Sequence, residues 1–244
     1  MSKKDRIYNT EQNEIVDFVF NKEVVSVFPD MVRRSIPGYE TIIPLSGLLA
    51  ANHLKSLPKE HHVAYDLGCS LGASSLALLK QFEHDSLLVF AIDNSSDMIG
   101  KAKTLIADKR VIFQQKDILD VKMDKAGVVL ANFVLQFIPK TQRNSLLKKI
   151  RQSLEPNGLL IISEKINFKN KKNQKLFETT HLDFKRANGY SNVEINQKKD
   201  ALENIMMPDS EEEQRKRFEE AGFKSVTKWF HCLNWVSYLV ETEN

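Results

Sequence analysis

The residues best suited to chemistry lie between positions 63 and 77, where the chain reads V-A-Y-D-L-G-C-S-L-G-A-S-S-L-A. A short apolar run ends in Asp66. Gly68, Cys69, Ser70 and Gly72 then make a turn of small residues, and positions 73–79 carry a helical pattern. Glycines in such a turn admit positive φ and let a ligand approach bare backbone. The helix start adds unpaired N–H groups and the positive end of its dipole. The stretch is suited to receive something polar or anionic.

Two chemistries fit it. Gly68-Cys69-Ser70-Leu71-Gly72 matches the G-x-S-x-G elbow of nucleophilic hydrolases. That reading makes Ser70 the nucleophile and needs a downstream acid and histidine; His181 and His231 are available, but no glycine-rich oxyanion segment precedes the elbow. A nucleotide reading needs an acid at the end of the next strand, about 20 residues on, to bind ribose hydroxyls. The run L-L-V-F-A-I-D-N supplies it at Asp93, with Asn94 beside it, and the nucleotide reading is preferred.

These residues need a frame, and the chain spells one out. Strand patterns at 63–67, 87–93, 111–117, 128–138 and 159–164 alternate with helical patterns at 73–79, 96–107 and 141–154. The apolar run from 128 to 138 is long enough for a strand buried on both faces. This alternation predicts a doubly wound α/β fold, whose ligands bind at the carboxyl ends of the strands. Asp66, Asp93, Asp117, Asn132 and Glu164 all fall at or near those ends. Each alone could merely cap a turn or the next helix. Together they predict a nucleoside site, with Asp93 on ribose hydroxyls, Asp117 accepting from an adenine amino group and Ile118 packed on the base.

Before the glycine turn, residues 1–12 are polar and expected to be loose. Apolar-periodic segments at 14–20 and 23–32 lead to a helix at 39–54. Residues 1–56 are thus expected to form a tail and helical cap on a domain spanning 57–244. Tyr39, after the Pro37-Gly38 break, either turns toward a ligand beneath the cap or closes the turn as a half-buried ring. Two closely spaced apolar strands end the chain and must pair antiparallel. The expected sheet is mostly parallel and seven-stranded, with an antiparallel C-terminal edge strand. That ending, with the glycine turn and Asp93, is similar to the class I methyltransferase fold, which implies S-adenosylmethionine in place of a dinucleotide.

Residues 165–222 interrupt the alternation with a helical insertion rich in lysine. The cluster Lys169, Lys171, Lys172 and Lys175 reads first as a solvated face, since no aromatics interleave it as in a nucleic-acid surface. Cations in F-K-R-A-N-G-Y-S and N-Q-K-K are better placed to hold a carboxylate substrate. Composition narrows little: a net charge of +3 over 244 residues names no partner. Cys69 and Cys232 lie too far apart in sequence for a C-x-x-C zinc or redox motif, and no metal is expected. The start has no apolar leader-like run and no stretch is apolar enough to span a membrane, so a cytoplasmic protein is expected.

The segments V-F-P-D-M-V-R-R-S-I-P-G-Y, D-L-G-C-S-L-G-A, A-I-D-N-S, N-F-V-L-Q-F, S-E-K and D-F-K-R-A-N-G-Y-S resemble the carboxy-S-adenosyl-L-methionine synthases. The resemblance implies conversion of S-adenosylmethionine and prephenate to carboxy-S-adenosylmethionine and phenylpyruvate, a product that feeds tRNA wobble-uridine modification. It implies a homodimer that need not touch nucleic acid itself. It places cofactor contacts at Tyr39, Gly68, Cys69, Ser70, Asp93, Asn94, Asp117, Ile118 and Asn132, with Asp66 at the head of the loop. Where the family has Gln-Lys-Arg, its arginine holding the new carboxylate, this chain has Gln197-Lys198-Lys199. Lysine supplies the charge without the two-pronged guanidinium fork. Lys199 is therefore expected at both cofactor and substrate, with Arg186 or a neighbouring cation taking prephenate's negative charge. No side chain is marked as a dedicated base.

Overall fold

Strands joined by helical crossovers cannot pair antiparallel with their neighbours, and the sheet follows that rule until its last hairpin. The computed structural model describes residues 3–10 and 18–243, so positions 14–17 of the first apolar segment lie outside the described residues. The elements run α1 (Lys22–Ser35), α2 (Tyr39–Ser56), β1 (Val63–Leu67), α3 (Ala73–Gln81), β2 (Leu88–Asp93), α4 (Ser96–Leu105), β3 (Val111–Gln115) and β4 (Ala126–Asn132). There follow α5 (Lys140–Ser153), β5 (Leu154–Asn167), α6 (Lys171–Ala187), α7 (Asn192–Glu203), β6 (Asp209–Ser210), α8 (Glu211–Glu220), β7 (Ser225–Cys232) and β8 (Trp235–Glu241).

The main sheet has the order β3-β2-β1-β4-β5-β8-β7, with β6 paired to β5. Strands β1 to β5 pair in parallel, and β8 runs antiparallel to both β5 and β7. The edge is antiparallel as expected, and the final strand inserts between β5 and β7. Strand order reverses between β1 and β4, which opens a crevice at their carboxyl ends.

Alternation along the strands fills two cores. Val129, Leu160, Ile162, Val236 and Tyr238 face α5 and α8 through Leu147, Ile150 and Phe218. Ala64, Val89, Val128, Leu130 and Ile161 face α2 and α3 through Ala50, Leu54 and Leu78. The two helices approach so closely that a Cβ on Gly47 would lie 2.4 Å from the backbone carbon of Ala77.

Three expectations need correcting. The apolar pattern runs to Ile138, yet β4 stops at Asn132. Phe133 turns to φ +64° and a 3-10 turn follows at Leu135–Phe137. The cause is Glu164 on β5, whose carboxylate accepts the N–H groups of Val134, Leu135 and Gln136 at 3.1, 2.7 and 2.8 Å. Those donors are drawn away from a ladder. In β5, positions 155–158 carry turn residues but lie within the strand. Ala126 pairs with Leu154 and Val128 with Leu159, and Asn157 at φ +60° absorbs the extra chain.

The third correction concerns the N-terminal tail, which is pinned over residues 3–10. Asp5 is 1% exposed; its N–H donates to Asp30 at 2.8 Å, and its carboxylate accepts the Tyr190 hydroxyl and faces the Lys198 ammonium at 3.4 Å. A polar segment is ordered here because its acid neutralises buried cations.

Candidate functional site

The turn after β1 is held open by carboxylates. Its backbone is left-handed at Gly68 and again at Ser70, with φ +63° and +49°. A Cβ at Gly68 would also meet the Val134 side chain at 2.6 Å, so the small residue serves both conformation and space. The Ser70 N–H donates to one oxygen of Asp93 and the Ser95 N–H to the other, each at 2.9 Å. The Cys69 N–H donates to Ile92 O at 2.9 Å. Asp66, beneath the turn, accepts the Ser75 N–H at 3.0 Å and its hydroxyl at 2.6 Å, which anchors the first turn of α3.

Burial sets the charge balance. It pushes Asp66 up to about 6 against the Ser75 hydrogen bonds, with the charge of Asp93 adding to the rise. Burial raises Asp93 too, and it raises the Cys69 thiol, aided by Asp66 and Asp93. Cys69 is thus kept protonated and is not an activated nucleophile. The hydrolase arrangement is not formed: His181 Nε2 pairs with Ser35 O at 2.8 Å and His231 Nε2 with Leu233 O at 2.9 Å. Among the described residues neither ring pairs with Ser70.

From the end of β4 an interaction chain crosses the crevice. The Ser237 hydroxyl donates to Ser163 at 2.8 Å, Ser163 donates to Asn132 Oδ1 at 2.7 Å, and Asn132 Nδ2 donates to Ser74 on α3 at 3.1 Å. Next to it the Phe133 ring stacks on Tyr39 at 5.9 Å and meets Trp235 edge-on at 5.4 Å; Trp235 meets His181 at 5.9 Å. Burial, with the nearby charge of Asp66, raises the Tyr39 phenol. The aromatic row therefore runs from the glycine turn to α6.

At its far end are cations. Lys165 on β5 and Lys185 on α6 are half-buried, whereas Lys199 and Arg186 are exposed. Arg186 is tied to Asp183 at 2.6 Å and Asn192 at 2.8 Å. Burial, then the charges of Lys198 and Lys165, bring Lys185 down to about 7.

The structure thus brings together Tyr39, Asp66, Gly68, Cys69, Ser70, Asp93 and Asn132. Asn94 and Asp117 are exposed at the outer rim; Asp117 accepts the Leu119 N–H at 2.8 Å, and Lys116 N–H donates to Asp93 O at 3.0 Å, keeping that rim against β2. Ile118 is 6% exposed and packs in the apolar cluster that holds Leu146 and Ile150. Ser74, Phe133, Ser163 and Trp235 are additional to the sequence-derived set. A cleft of about 720 Å³, lined by Arg33, Arg34, Tyr39, Phe184 and Asn188 among others, shares Tyr39 with the predicted site.

The donor set suits S-adenosylmethionine. Each oxygen of Asp93 retains acceptor capacity for ribose hydroxyls, and the Tyr39 ring, close to Asp66 and stacked with Phe133, favours a sulfonium cation. Among the described residues no cluster of three or more His, Cys, Asp and Glu could hold a metal ion, and no helix is long and apolar enough to cross a membrane.

Comparison with known proteins gives findings of three kinds. The family described as "Methyltransferase domain" matches residues 64–158. The carboxy-S-adenosyl-L-methionine synthase of Pseudomonas entomophila (strain L48) is 45% identical over 248 residues, covering 98% of this chain and 99% of that protein. The synthase of the same name from Aliivibrio fischeri (strain ATCC 700601 / ES114) is 44% identical over 241 residues, covering 97% and 98%. Among solved structures, an O-methyltransferase family protein from Burkholderia thailandensis superposes with a TM-score of 0.65 at 16% identity, covering 92% of this chain and 61% of that one. Human N-acetylserotonin methyltransferase in complex with SAM gives 0.63 at 13% identity, covering 91% and 56%. The chain spans little more than half the length of these two structures, and the likeness to them is one of fold.

Proposed function

The chain belongs to the carboxy-S-adenosyl-L-methionine synthase family of S-adenosylmethionine-dependent transferases, and from that premise we propose that it converts S-adenosylmethionine and prephenate to carboxy-S-adenosylmethionine and phenylpyruvate. The observation that carries this reading is identity of 45% sustained over 98% of the chain. The product would serve tRNA wobble-uridine modification, carried out elsewhere. A cytoplasmic homodimer is part of the same proposal; exposed Leu45 and Leu48 on α2 and Leu76 on α3 offer an apolar surface for a second copy.

Gly68, Cys69 and Ser70 would hold the cofactor through backbone, Asp93 and Asn94 through the ribose, Asp117 and Ile118 through the base, and Tyr39, Asp66 and Asn132 around the sulfonium. Bound there, S-adenosylmethionine supplies a methyl carbon whose C–H bonds are acidified by the adjacent positive sulfur. The protein's part is then positioning and charge complementarity. Asp93 fixes the turn that receives the nucleoside, the aromatic row excludes water, and Lys199 offers charge to the carboxylate formed.

Mass spectrometry of the nucleoside products, after incubation with S-adenosylmethionine with and without prephenate, tests the reaction. A mass gain equal to carboxylation, appearing only with prephenate, is expected. S-adenosylhomocysteine together with a methylated acceptor would instead make the protein a conventional methyltransferase.

A further inference from the structure

Among the described residues, two ammonium groups at the end of the aromatic row form no ion pair. Lys165 stands opposite Trp235 in the β5–β8 register, so the two side chains leave the same face of the sheet. Lys185 lies one helical turn beyond His181, whose ring meets that Trp235 at 5.9 Å, and so is carried on the same face of α6. Among the described residues, neither lysine Nζ has an ion pair or a hydrogen bond to protein.

The surrounding cations differ in this respect. Lys198 faces Asp5 at 3.4 Å and Ser35 at 3.3 Å, and Arg34 faces Asp30 and the Asp5 carbonyl, each at 3.1 Å. Arg186 is spent on Asp183 and Asn192. Lys185 faces Lys165 from β5, Lys198 from α7 and His181 from its own helix, while Lys165 faces Glu178 from α6 and Lys199 from α7, with Glu178 beyond ion-pair distance. Partly burying unpaired like charges is costly, and the cost is relieved either by loss of a proton or by the entry of anions. One neutral donor joins them: the indole N–H of Trp235, a residue 3% exposed, is buried without an acceptor.

Resting on the reaction read above, we propose that Lys165 and Lys185 form the seat for the two carboxylates of the acid co-substrate, with Trp235 as the wall beside its ring. A dianion between two ammonium groups restores the proton affinity that burial and mutual repulsion have lowered. Lys185, down at about 7 in the free protein, therefore takes up a proton when the acid binds at pH 7.5. The row Tyr39–Phe133–Trp235 joins this seat to the glycine turn, so both substrates are held on one continuous surface.

Titration calorimetry on the full chain with prephenate, in two buffers of different ionisation enthalpy, tests the seat directly. Lys185→Met and Lys165→Met should each weaken prephenate binding about tenfold or more, the scale of losing one charge-assisted contact, with S-adenosylmethionine affinity unchanged. Lys185→Arg should retain most of the affinity. Proton uptake at pH 7.5 should be present in the parent protein and absent in Lys185→Met. Removing an unpaired, partly buried charge should also leave the melting temperature of Lys185→Met equal to or above that of the parent.

Prephenate affinity indifferent to both methionine substitutions would overturn the seat. So would a larger loss in Arg186→Ala than in Lys185→Met, or a parallel loss of S-adenosylmethionine binding. The reaction is judged apart: a parent protein that binds prephenate through these lysines but forms no carboxylated product would overturn the reaction and leave the seat standing. Product formation whose KM for prephenate ignores both lysines would do the reverse.

Discussion

The carboxylate of Asp93, at the end of β2, accepts the backbone N–H of Ser70 in the turn after β1 at 2.9 Å, while its other oxygen accepts Ser95 N–H at the same distance. One side chain thus fastens the glycine turn to the neighbouring strand and starts α4. Asp93→Ala leaves two partly buried donors unpaired, at about 1–3 kcal/mol each. We expect a loss of about 2–6 kcal/mol in urea unfolding and of S-adenosylmethionine binding by calorimetry. Asp93→Asn retains one acceptor and should lose about half as much stability. Full stability in the alanine variant would show that the turn holds itself.

Glu164 makes a comparable junction between β5 and the turn after β4. Its two oxygens serve three N–H groups, and the residue is 1% exposed. Glu164→Ala strands all three donors in a dry site and should cost at least about 3 kcal/mol. Faster amide hydrogen exchange at Leu135 and Gln136 should accompany it. Exchange rates equal to those of the parent would mean that the turn is set by Phe133 and its packing.

The glycine turn and Asp93 are legible in the sequence because both belong to one strand-turn-helix-strand unit in which spacing determines contact. The aromatic row is not. Phe133 and Trp235 come from distant segments that meet only because β8 inserts beside β5, and no local pattern announces that order. Apolar periodicity likewise misplaces the end of β4, since it cannot register a carboxylate arriving from Glu164. Asp5 reads as one charge in a polar tail until Arg34, Tyr190 and Lys198 are brought around it. Long-range charge neutralisation leaves no periodic trace in the chain.

His181 gives a pH dependence with a defined sign. Burial, with the charges of Lys185 and Lys165, takes it from 6.5 down to about 3, outweighing its bond to Ser35. The unfolded chain therefore binds a proton at higher pH than the folded one. The stability this group contributes is present above pH 6.5 and is lost as pH falls toward 3. His181→Phe should flatten the urea-unfolding midpoint between those limits. An unaltered slope would place the acid sensitivity elsewhere.

Lys199 stands where the family resemblance has an arginine, exposed on α7 and near enough to lower the proton affinity of Lys165. An ammonium meets a carboxylate as a point charge, whereas guanidinium meets it through two parallel N–H bonds. Lys199→Arg should therefore tighten carboxy-S-adenosylmethionine binding by about three- to tenfold, the yield of one added charge-assisted hydrogen bond at a partly exposed site. Its affinity for S-adenosylmethionine, which lacks the new carboxylate, should stay the same. Lys199→Met should weaken only the carboxylated ligand. Calorimetry with both ligands separates these outcomes, because a general change in surface charge would move the two affinities together, whereas a residue that meets the product carboxylate moves one.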